Sequence, residues 1–271
     1  MSSTKVARPP SRRPTFARGV RVQIQVLNGL VLRELAARFG RRGAGLIFTF
    51  ISPMAQASII AILRVVVGAP GYAGMATFPF TACGVLYYRA FRTMAGDQID
   101  AVPRNNGLLY FHKVTTLDIY FATFLVNLAI NLSVGGLMYI TARLTGYSPP
   151  ADEPLYLILL LILSNILGFS FGLTLASVSI FFPAIKAVNQ IFMRIMYFTS
   201  GVFFVVPEIP PFFRGYLLWN PLLHVTELAR SFYFIQYQTA YGDLDYVLRW
   251  TVALLVTGLV LERILRDQVV K

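Results

Sequence analysis

The residues that most readily support catalysis or metal binding are few in this chain and far apart. Its 271 residues include two histidines, His112 and His224, and one cysteine, Cys83. A single cysteine cannot form an internal disulfide, and the apolar run around it predicts a buried thiol. His224 and Glu227 are three residues apart, on one face of a helix, where they fit either a metal ion or a polar pair that includes Arg230. Because no third or fourth ligand is near in the sequence, the polar pair is favoured.

The chain also has no nucleotide-binding motif. A P-loop of the form GxxxxGK[ST] needs a Gly-Lys pair, and no Gly-Lys dipeptide occurs anywhere in the sequence. If ATP drives the activity of this protein, another subunit must bind it. The sequence therefore predicts no catalytic residue, no metal ion and no cofactor on this chain.

The composition is typical of an integral membrane protein. Hydrophobic residues make up 56% of the chain and charged residues only 13%, with a mean hydropathy of +0.63. Soluble domains carry about 25% charged residues, so this balance excludes a soluble enzyme, a disordered chain and a secreted disulfide scaffold. The net charge of +12 fits membrane orientation as well as nucleic-acid binding, and no nucleic-acid partner is expected.

Stretches without charged residues locate the predicted spans, since a helix needs about 20 apolar residues to cross the hydrocarbon core. Two of the stretches are short and become spans only if Arg194 and Arg249 extend their charged heads to the interface. We predict an all-α integral membrane protein whose six transmembrane helices lie within residues 43–262. The four long stretches are Gly43–Leu63, Val65–Tyr88, Ile119–Ala142 and Leu155–Ile185, and the two short ones are Ile195–Pro207 and Trp250–Leu261.

Basic residues set the predicted orientation. With both termini in the cytoplasm, the inner segments hold 19 of the 24 basic residues and a net charge of +13, against −1 on the outer side. Because basic segments stay in the cytoplasm, we predict a multi-pass protein of the plasma membrane with cytoplasmic termini. Residues 263–271 would form the C-terminal cytoplasmic tail.

The first 42 residues are predicted to lie on the cytoplasmic side. Residues 1–18 are rich in Arg, Pro, Ser and Thr and too poor in apolar groups to fold alone, so a disordered basic N-terminus is expected. No apolar core of a cleaved signal peptide occurs before Arg33. Apolar residues then recur at helical spacing beside Arg33 and Arg38, which predicts an amphipathic interfacial helix over residues 19–42. Such a helix either rests on the membrane surface or contacts a cytoplasmic partner.

Two polar segments separate the predicted spans. The cytoplasmic segment of about residues 95–118 is either a solvated loop or a short helix that docks on a partner. The segment of about residues 207–240 opens with Pro207 and Pro210, which break a helix, and then carries polar groups among aromatic residues. Short re-entrant helices fit this segment better than a span exposed to lipid. Gly168 and Gly172 predict close helix packing, which we assign to the inside of the bundle.

Three blocks of sequence resemble the ABC-2 type exporter permeases. The LRELAARFG block at Leu32–Gly40, followed by Ser52-Pro53, is similar to a motif before and within their first span, with Ser52 where that family usually has glutamate. Asn105–Leu109, with Val114 and Asp118, resembles their first cytoplasmic loop. Tyr216–Arg230 matches their LLWNPL-x-H-x-x-EL-x-R motif almost residue for residue, through Trp219, Asn220, Pro221, His224, Glu227 and Arg230. The blocks span nearly the whole chain, and the closest resemblance is to the capsular polysaccharide exporters of Gram-negative bacteria.

This resemblance implies a half-transporter of the bacterial inner membrane that moves lipid-linked, acidic capsular polysaccharide. Two copies of the chain would form the pore, above two copies of a separate ATPase subunit that binds ATP and Mg. The helix with Arg33 and Arg38 would be an interfacial gate helix. A periplasmic co-polymerase and an outer-membrane polysaccharide export protein would complete the machine. The coupling helix that docks on the ATPase would include Asn105, Asn106, Gly107, Leu108 and Leu109.

An acidic glycan needs cations for its charged end and aromatic rings on which sugars stack. Arg89 and Arg92 lie one helical turn apart beside Tyr87 and Tyr88, and Lys186 and Arg194 flank the start of the fifth predicted span. We predict that these six residues line the substrate channel, although each basic residue equally fits an orientation charge.

Three alternatives remain open on sequence alone. An O-antigen or teichoic acid exporter has the same architecture and a different glycan. A drug- or heme-exporting permease belongs to the same superfamily. A membrane-embedded transferase would instead use His224 and Glu227.

Overall fold

The computed structural model describes residues 16–39, 44–69, 71–109, 114–144, 146 and 149–269, which contain nine α-helices and three short 3-10 turns. Residues 1–15 and His112 lie outside the described residues. The 3-10 turns are Tyr72–Gly74, Asn106–Leu108 and Val206–Glu208. The helices are α1 (Phe16–Phe39), α2 (Ala44–Val66), α3 (Thr77–Arg104), α4 (Thr116–Leu144), α5 (Pro154–Ser179), α6 (Ile185–Thr199), α7 (Pro211–Leu217), α8 (Pro221–Tyr233) and α9 (Leu244–Val269).

Four helices in the described part of the chain are long and apolar enough to cross a membrane. They coincide with α2, α4, α5 and α9, over Ile47–Val66, Thr116–Leu144, Pro154–Ser179 and Leu244–Leu265. This finding agrees with an all-helical membrane protein. It bears out three of the four long charge-free stretches and one of the two short ones as spans.

The second predicted span is wrong in its boundaries. The stretch Val65–Tyr88 is not one helix: α2 ends at Val66, and a turn with Gly68 at φ 75° separates it from α3, which begins at Thr77. The helix α3 then continues to Arg104. The helix is 28 residues long, enough to cross a membrane. Its mean hydropathy is nevertheless low for a span, because its second half carries Arg89, Arg92, Asp97 and Asp100.

Other predicted boundaries also differ from the structure. The coupling segment was expected from about residue 95, but residues 95–104 belong to α3. The helix at the fifth predicted span, α6, begins at Ile185, ten residues before the predicted stretch. It ends at Thr199, so Lys186 and Arg194 lie within it. The N-terminal helix begins at Phe16 rather than residue 19, and α9 continues through most of the predicted tail. In α3, α6 and α9 charged side chains lie within the helix, so a charge-free stretch does not show its full length.

The helix α3 is at the centre of the bundle, where it packs against α2, α4, α5 and α8. Its contact with α5 is close because Gly168 and Gly172 face the α3 backbone. A Cβ atom on Gly168 would lie 2.7 Å from the carbonyl oxygen of Phe91, and one on Gly172 would lie 2.7 Å from that of Ala95. Small residues let helix backbones approach in this way. The two glycines therefore pack inside the bundle, as predicted.

The two ends of the bundle differ in structure. At one end, α1 packs against α4 and α2, and its Glu34 pairs with Arg104, the last residue of α3. At the other end lie the short helices α7 and α8, in the segment for which the sequence predicts a re-entrant hairpin, and α8 packs against α3, α5 and α9. We call these the α1 end and the hairpin end.

Candidate substrate cavity, coupling segment and hairpin

A polar cavity of about 600 Å³ lies between α1, α2, α3 and α4. Its lining holds cationic, acidic and amide groups. A polar cavity inside a membrane bundle is the usual location of a substrate pathway. The lining residues are Arg38, Thr49, Gln56, Tyr88, Arg89, Arg92, Thr93, Gly96, Asp97, Asp100, Arg104, Asn127, Ile130 and Asn131.

Two arginines of this cavity have no acidic partner among the described residues. Arg89 is half-buried and donates a hydrogen bond from Nη1 to the Ser52 hydroxyl at 3.3 Å. Arg92 is exposed and lies three residues further along α3, so the two cations lie close together. Other arginines of the cavity are paired: Arg38 and Arg104 both form ion pairs with Glu34 and Asp97. The cavity therefore has a cationic side that can receive an anion.

The other predicted channel residues do not all line the same cavity. Tyr88 lines the cavity, and its hydroxyl donates to the carbonyl oxygen of Met193 at 2.5 Å. Lys186 lines a smaller cavity of about 250 Å³ together with Arg92, and it forms an ion pair with Asp100 at 2.7 Å.

Two of the predicted channel residues are not in either polar cavity. Tyr87 is buried, and its hydroxyl donates to the carbonyl oxygen of Leu157 at 2.9 Å, on a separate apolar cavity. Arg194 is exposed on α6 and lines none of these cavities. The structure therefore brings together Tyr88, Arg89 and Arg92, with Lys186 next to them.

Amide side chains of the cavity were missed by the sequence analysis. Asn127 accepts a hydrogen bond from Arg38 Nη1 at 2.9 Å, and Asn131 donates one to Asn165 at 2.7 Å. Gln56 donates to the Tyr197 hydroxyl at 2.8 Å. The spacing of Asn127 and Asn131, one helical turn apart in a largely apolar span, could have indicated them. Amide side chains in a membrane helix usually lie on a face that points into the bundle.

The cluster around Arg38 connects α1 to α3 and α4. Arg38 Nη2 lies 3.0 Å from Glu34 and 2.7 Å from Asp97. Gln23, near the start of α1, hydrogen-bonds to Asp118 at the start of α4. Arg33, on the same helix, is exposed and forms no hydrogen bond or ion pair within the described part of the chain. The amphipathic helix is therefore held against the bundle by Arg38 and Gln23, while Arg33 faces outward.

The segment between α3 and α4 has a buried side and an exposed side. Asn105 is buried, and its amide donates to the carbonyl oxygen of Ala101 at 2.8 Å. Asn106 and Gly107 are exposed in the 3-10 turn, and Leu108 and Leu109 are half-buried. A Cβ atom on Gly107 would meet nothing within 4 Å. The tip of this turn is thus free to contact another protein.

The hairpin motif begins with a helix cap. The Asn220 side chain accepts a hydrogen bond from the backbone N–H of Leu222 at 2.9 Å and donates one to the Ser200 hydroxyl at 3.0 Å. Pro221 occupies the first turn of α8, where its missing N–H costs nothing. Trp219 is 77% exposed. These residues therefore start α8 and fix it to the end of α6.

Arg230 and Glu227 are fully buried behind this cap. Arg230 donates to the carbonyl oxygens of Phe204 at 2.8 Å and Gly201 at 2.5 Å, and its guanidinium lies 3.9 Å from the centre of the Phe80 ring. Glu227 lies 3.9 Å from Arg230 and pairs with it as predicted, whereas His224, which was expected to belong to the same polar group, bonds to other residues. A buried guanidinium is stable only when its donors are satisfied. Here residues 201–204 provide the acceptors, so Arg230 fixes the loop after α6.

Glu227 accepts hydrogen bonds from three further groups. These are the backbone N–H of Val206 at 3.1 Å, the Tyr237 hydroxyl at 2.5 Å and the Thr239 hydroxyl at 3.0 Å. Burial, together with the nearby Glu227 carboxylate, raises the pKa of Tyr237 above its usual range. The phenol therefore stays protonated and donates to the carboxylate.

Both ring nitrogens of His224 have partners. Nε2 lies 2.8 Å from the carbonyl oxygen of Leu218, and Nδ1 lies 3.2 Å from the backbone N–H of Asp243. The second contact requires Nδ1 to accept, so the proton is on Nε2. Across the described residues, no three His, Cys, Asp or Glu side chains are grouped closely enough to hold a metal ion. The hairpin motif is thus a structural assembly with its polar groups already paired.

A bundle of long apolar helices around a polar, partly cationic cavity defines an integral membrane protein built for transport. Residues 25–234 match the ABC-2 type transporter family, and the chain belongs to that family. It is 30% identical to the polysialic acid transport protein KpsM of Escherichia coli, over 90% of this chain and 95% of that protein.

Two other relatives are inner-membrane proteins of capsule polysaccharide export. BexB of Haemophilus influenzae is 25% identical, over 91% of this chain and 93% of its own. CtrC of Neisseria meningitidis serogroup A is 27% identical, over 90% of this chain and 92% of its own. The resemblance inferred from the sequence motifs is therefore confirmed.

Proposed function

We propose that this protein is the permease subunit of an ATP-binding cassette exporter that moves lipid-linked, acidic capsular polysaccharide across the bacterial inner membrane. The relatives named for capsule polysaccharide export support the substrate class. The observation that carries the proposal is the pair Arg89 and Arg92, which line a polar cavity without an acidic partner in the described part of the chain. Two adjacent cations inside a membrane protein carry a large free-energy cost unless an anion binds next to them.

The proposed topology has six spans with both termini in the cytoplasm. The helices α2, α4, α5 and α9 are long and apolar, and α3 and α6 would be the second and fifth spans. The charged half of α3 faces the polar cavity rather than lipid, which makes a span of mixed composition tolerable. The α1 end would lie in the cytoplasm. The hairpin of α7 and α8 would then be re-entrant from the periplasmic side.

A second copy of the chain would complete the pore. The helix α6 makes few contacts within the protomer, and one of its faces is apolar and exposed. That face consists of Val188, Ile191, Phe192, Ile195 and Phe198. Their spacing of three and four residues puts them on one stripe, which suits helix packing against a partner subunit. We assign the homodimer contact to this stripe.

Two ATPase subunits, which bind ATP and Mg, would dock at the α1 end. The exposed turn at Asn106 and Gly107, backed by Asn105, Leu108 and Leu109, would enter the ATPase. The outward-facing Arg33 would lie beside it. Because Arg38 joins α1 to Asp97 of α3 at 2.7 Å, movement at the turn would reach both the gate helix and the cavity. A periplasmic co-polymerase and an outer-membrane export protein would receive the glycan.

The rival functions are less well supported. A transferase that used His224 and Glu227 would need these groups to reach a substrate, and both are buried with their polar atoms engaged. An exporter of O-antigen, teichoic acid or a hydrophobic drug keeps the same architecture. A neutral O-antigen or an apolar drug, however, gives no role to Arg89 and Arg92, which have no acidic partner among the described residues. Teichoic acid is itself a polyanion, so only the relatives named for capsule polysaccharide export favour a capsular substrate over it.

The decisive experiment is reconstitution of this chain with its ATPase subunit in proteoliposomes. We expect lipid-linked acidic polysaccharide to stimulate ATP hydrolysis and to appear in the vesicle lumen when the ATPase faces outward. A neutral glycan on the same lipid should stimulate less. Equal stimulation by the neutral glycan, or stimulation by a drug alone, would contradict the proposed substrate.

A further inference from the structure

An apolar cavity of about 490 Å³ lies between α3, α4 and α5 at the hairpin end. It shares no lining residue with the polar cavity, which is formed by the opposite half of α3. The walls come mainly from aliphatic side chains, among them Ala82, Leu86, Leu132, Met138, Leu157 and Leu161. It is a separate site, and the proposed transport function gives it no role.

The cavity lies beside a point of close contact between α4 and α5. The Asn131 side chain donates to Asn165 at 2.7 Å, which holds the two helices together in the middle of the bundle. One turn further along α4, Gly135 is close to the wall: a Cβ atom there would lie 3.0 Å from Leu161 and 3.2 Å from Leu86. At Gly136 a Cβ atom would meet nothing within 4 Å. The missing side chain at Gly136 therefore leaves the space open.

The mouth of the cavity opens onto the apolar outer surface of two spans. The lining residues Gly136, Pro154 and Ile158 are exposed. Next to them, Ile140 is 53% exposed and Leu159 is 51% exposed. Because α4 and α5 are both membrane-spanning candidates, this surface meets bilayer hydrocarbon, and the cavity is continuous with it.

Water is a poor occupant of this cavity. The wall holds three tyrosine hydroxyls, and two of them already have acceptors: Tyr87 donates to the carbonyl oxygen of Leu157 at 2.9 Å, and Tyr233 contacts the carbonyl oxygen of Pro149 at 3.4 Å. The third, Tyr139, has no hydrogen bond among the described residues and offers a water only one polar partner. A buried water needs two to four polar partners, and an apolar cavity of about 150 Å³ in another protein stays dry and binds a benzene ring. A cavity of 490 Å³ has room for a much longer apolar group. An empty cavity would forfeit the dispersion contacts of its whole lining.

We propose that this cavity is a binding site for one acyl chain of a bilayer phospholipid, inserted between α4 and α5 against α3. The chain enters from the hydrocarbon core beside Gly136 and fills the cavity next to the Asn131–Asn165 hydrogen bond. The lipid anchor of the transported glycan is a different occupant, and the separation of the two cavities disfavours it. The bound chain would stabilise the packing of α4 against α5.

Photo-crosslinking tests this site directly. The full chain, in complex with its ATPase subunit, is placed in nanodiscs that contain a phospholipid with a diazirine in the middle of one acyl chain and no glycan. We expect cross-links to Leu86, Leu132 and Leu157 in the cavity wall, in addition to cross-links on the exposed face of α9. Gly136→Phe should fill the opening and reduce the wall cross-links at least tenfold, while Gly136→Ala should leave them nearly unchanged.

Labelling on α9 is the internal control, since its exposed residues meet lipid in every variant. Wall cross-links that stay as strong in Gly136→Phe as in the unaltered chain would overturn the proposal, and so would wall labelling that appears only when lipid-linked glycan is added. If Gly136→Phe does not assemble, Leu132→Trp narrows the same cavity from the next turn of α4. A thermal shift gives an independent measurement: added phospholipid should raise the melting temperature of the unaltered complex more than that of Gly136→Phe.

Discussion

Arg38 of α1 donates to Asp97 of α3 across 2.7 Å, and this ion pair lies on the wall of the polar cavity. Arg38 also donates to Asn127 of α4 at 2.9 Å. One side chain therefore joins the amphipathic helix to two helices of the bundle. Its partner Asp97 lies seven residues before Arg104, where α3 ends. We therefore expect a movement of the segment after α3 to reach α1 through this contact.

Replacing Arg38 by glutamine should uncouple ATP hydrolysis from transport. The substitution removes the charged hydrogen bonds to Glu34 and Asp97, each of which contributes about 1.5–3 kcal/mol. We expect glycan export to fall several-fold in cells while the complex still assembles. Arg21→Gln is the matched control, because Arg21 is exposed on the same helix and has no polar partner among the described residues. Equal losses in the two variants would mean that α1 acts only through its total charge.

Removing both cavity cations should impair substrate recognition. We expect Arg89→Ala combined with Arg92→Ala to raise the glycan concentration needed for half-maximal ATPase stimulation at least tenfold, and to leave basal ATP hydrolysis unchanged. The physical reason is the loss of two charges that have no acidic partner in the described structure. Arg249→Ala, at an exposed arginine of α9, should behave like the unaltered protein. If capsule export is intact in the double variant, these arginines only orient the chain in the membrane.

The sequence predicted those parts of the fold whose signal is local. Uninterrupted apolar stretches located α2, α4 and α5. The spacing of His224 and Glu227 predicted a polar pair that includes Arg230, and the structure contains the Glu227–Arg230 part of it. The sequence could not locate α3, because this helix carries Arg89, Arg92 and Asp97. These charged residues face a cavity inside the bundle, and the sequence alone cannot distinguish them from charged residues that face water.

The acceptors of Arg230 show the same limit. They are backbone carbonyls at residues 201–204, and a carbonyl has no signature in the sequence. The apolar cavity beside Gly136 is likewise a product of how α3, α4 and α5 pack together. Contacts between distant segments, rather than residue types, determine both features.

Removing Arg230 should destabilise the protein strongly. Arg230→Ala leaves the fully buried Glu227 without its cation and the carbonyls of Gly201 and Phe204 without a donor. Breaking a buried ion pair from one side typically costs about 3–5 kcal/mol. We expect loss of the monodisperse protein in detergent, or a melting temperature lower by many degrees. Arg263→Ala removes an exposed arginine of α9 and should have no measurable effect. A fully stable Arg230→Ala variant would contradict a structural role for the hairpin motif.

Adding a methyl group between α3 and α5 should also destabilise the bundle. In Gly172→Ala the new Cβ would lie 2.7 Å from the carbonyl oxygen of Ala95, too close for contact without movement of a helix. Overpacking of this kind costs about 1–3 kcal/mol. Gly96→Ala, on α3, is the control, since its Cβ meets nothing within 4 Å and alanine favours the helix. Melting temperatures should therefore fall for Gly172→Ala and stay equal or rise for Gly96→Ala.

A substitution at Gly107 should separate docking of the ATPase from folding of the permease. Gly107 lies in the exposed turn after α3, and a side chain there has open space. Gly107→Arg is therefore expected to leave the melting temperature of the isolated permease unchanged. In the reconstituted complex it should abolish ATP hydrolysis stimulated by the glycan, because a bulky cation would stand between the turn and the ATPase surface. Gly29→Arg, at an open position on α1, tests whether added charge alone has this effect. Normal stimulation in Gly107→Arg would mean that another segment transmits the ATPase movement, and α1 with its exposed Arg33 would be the next region to substitute.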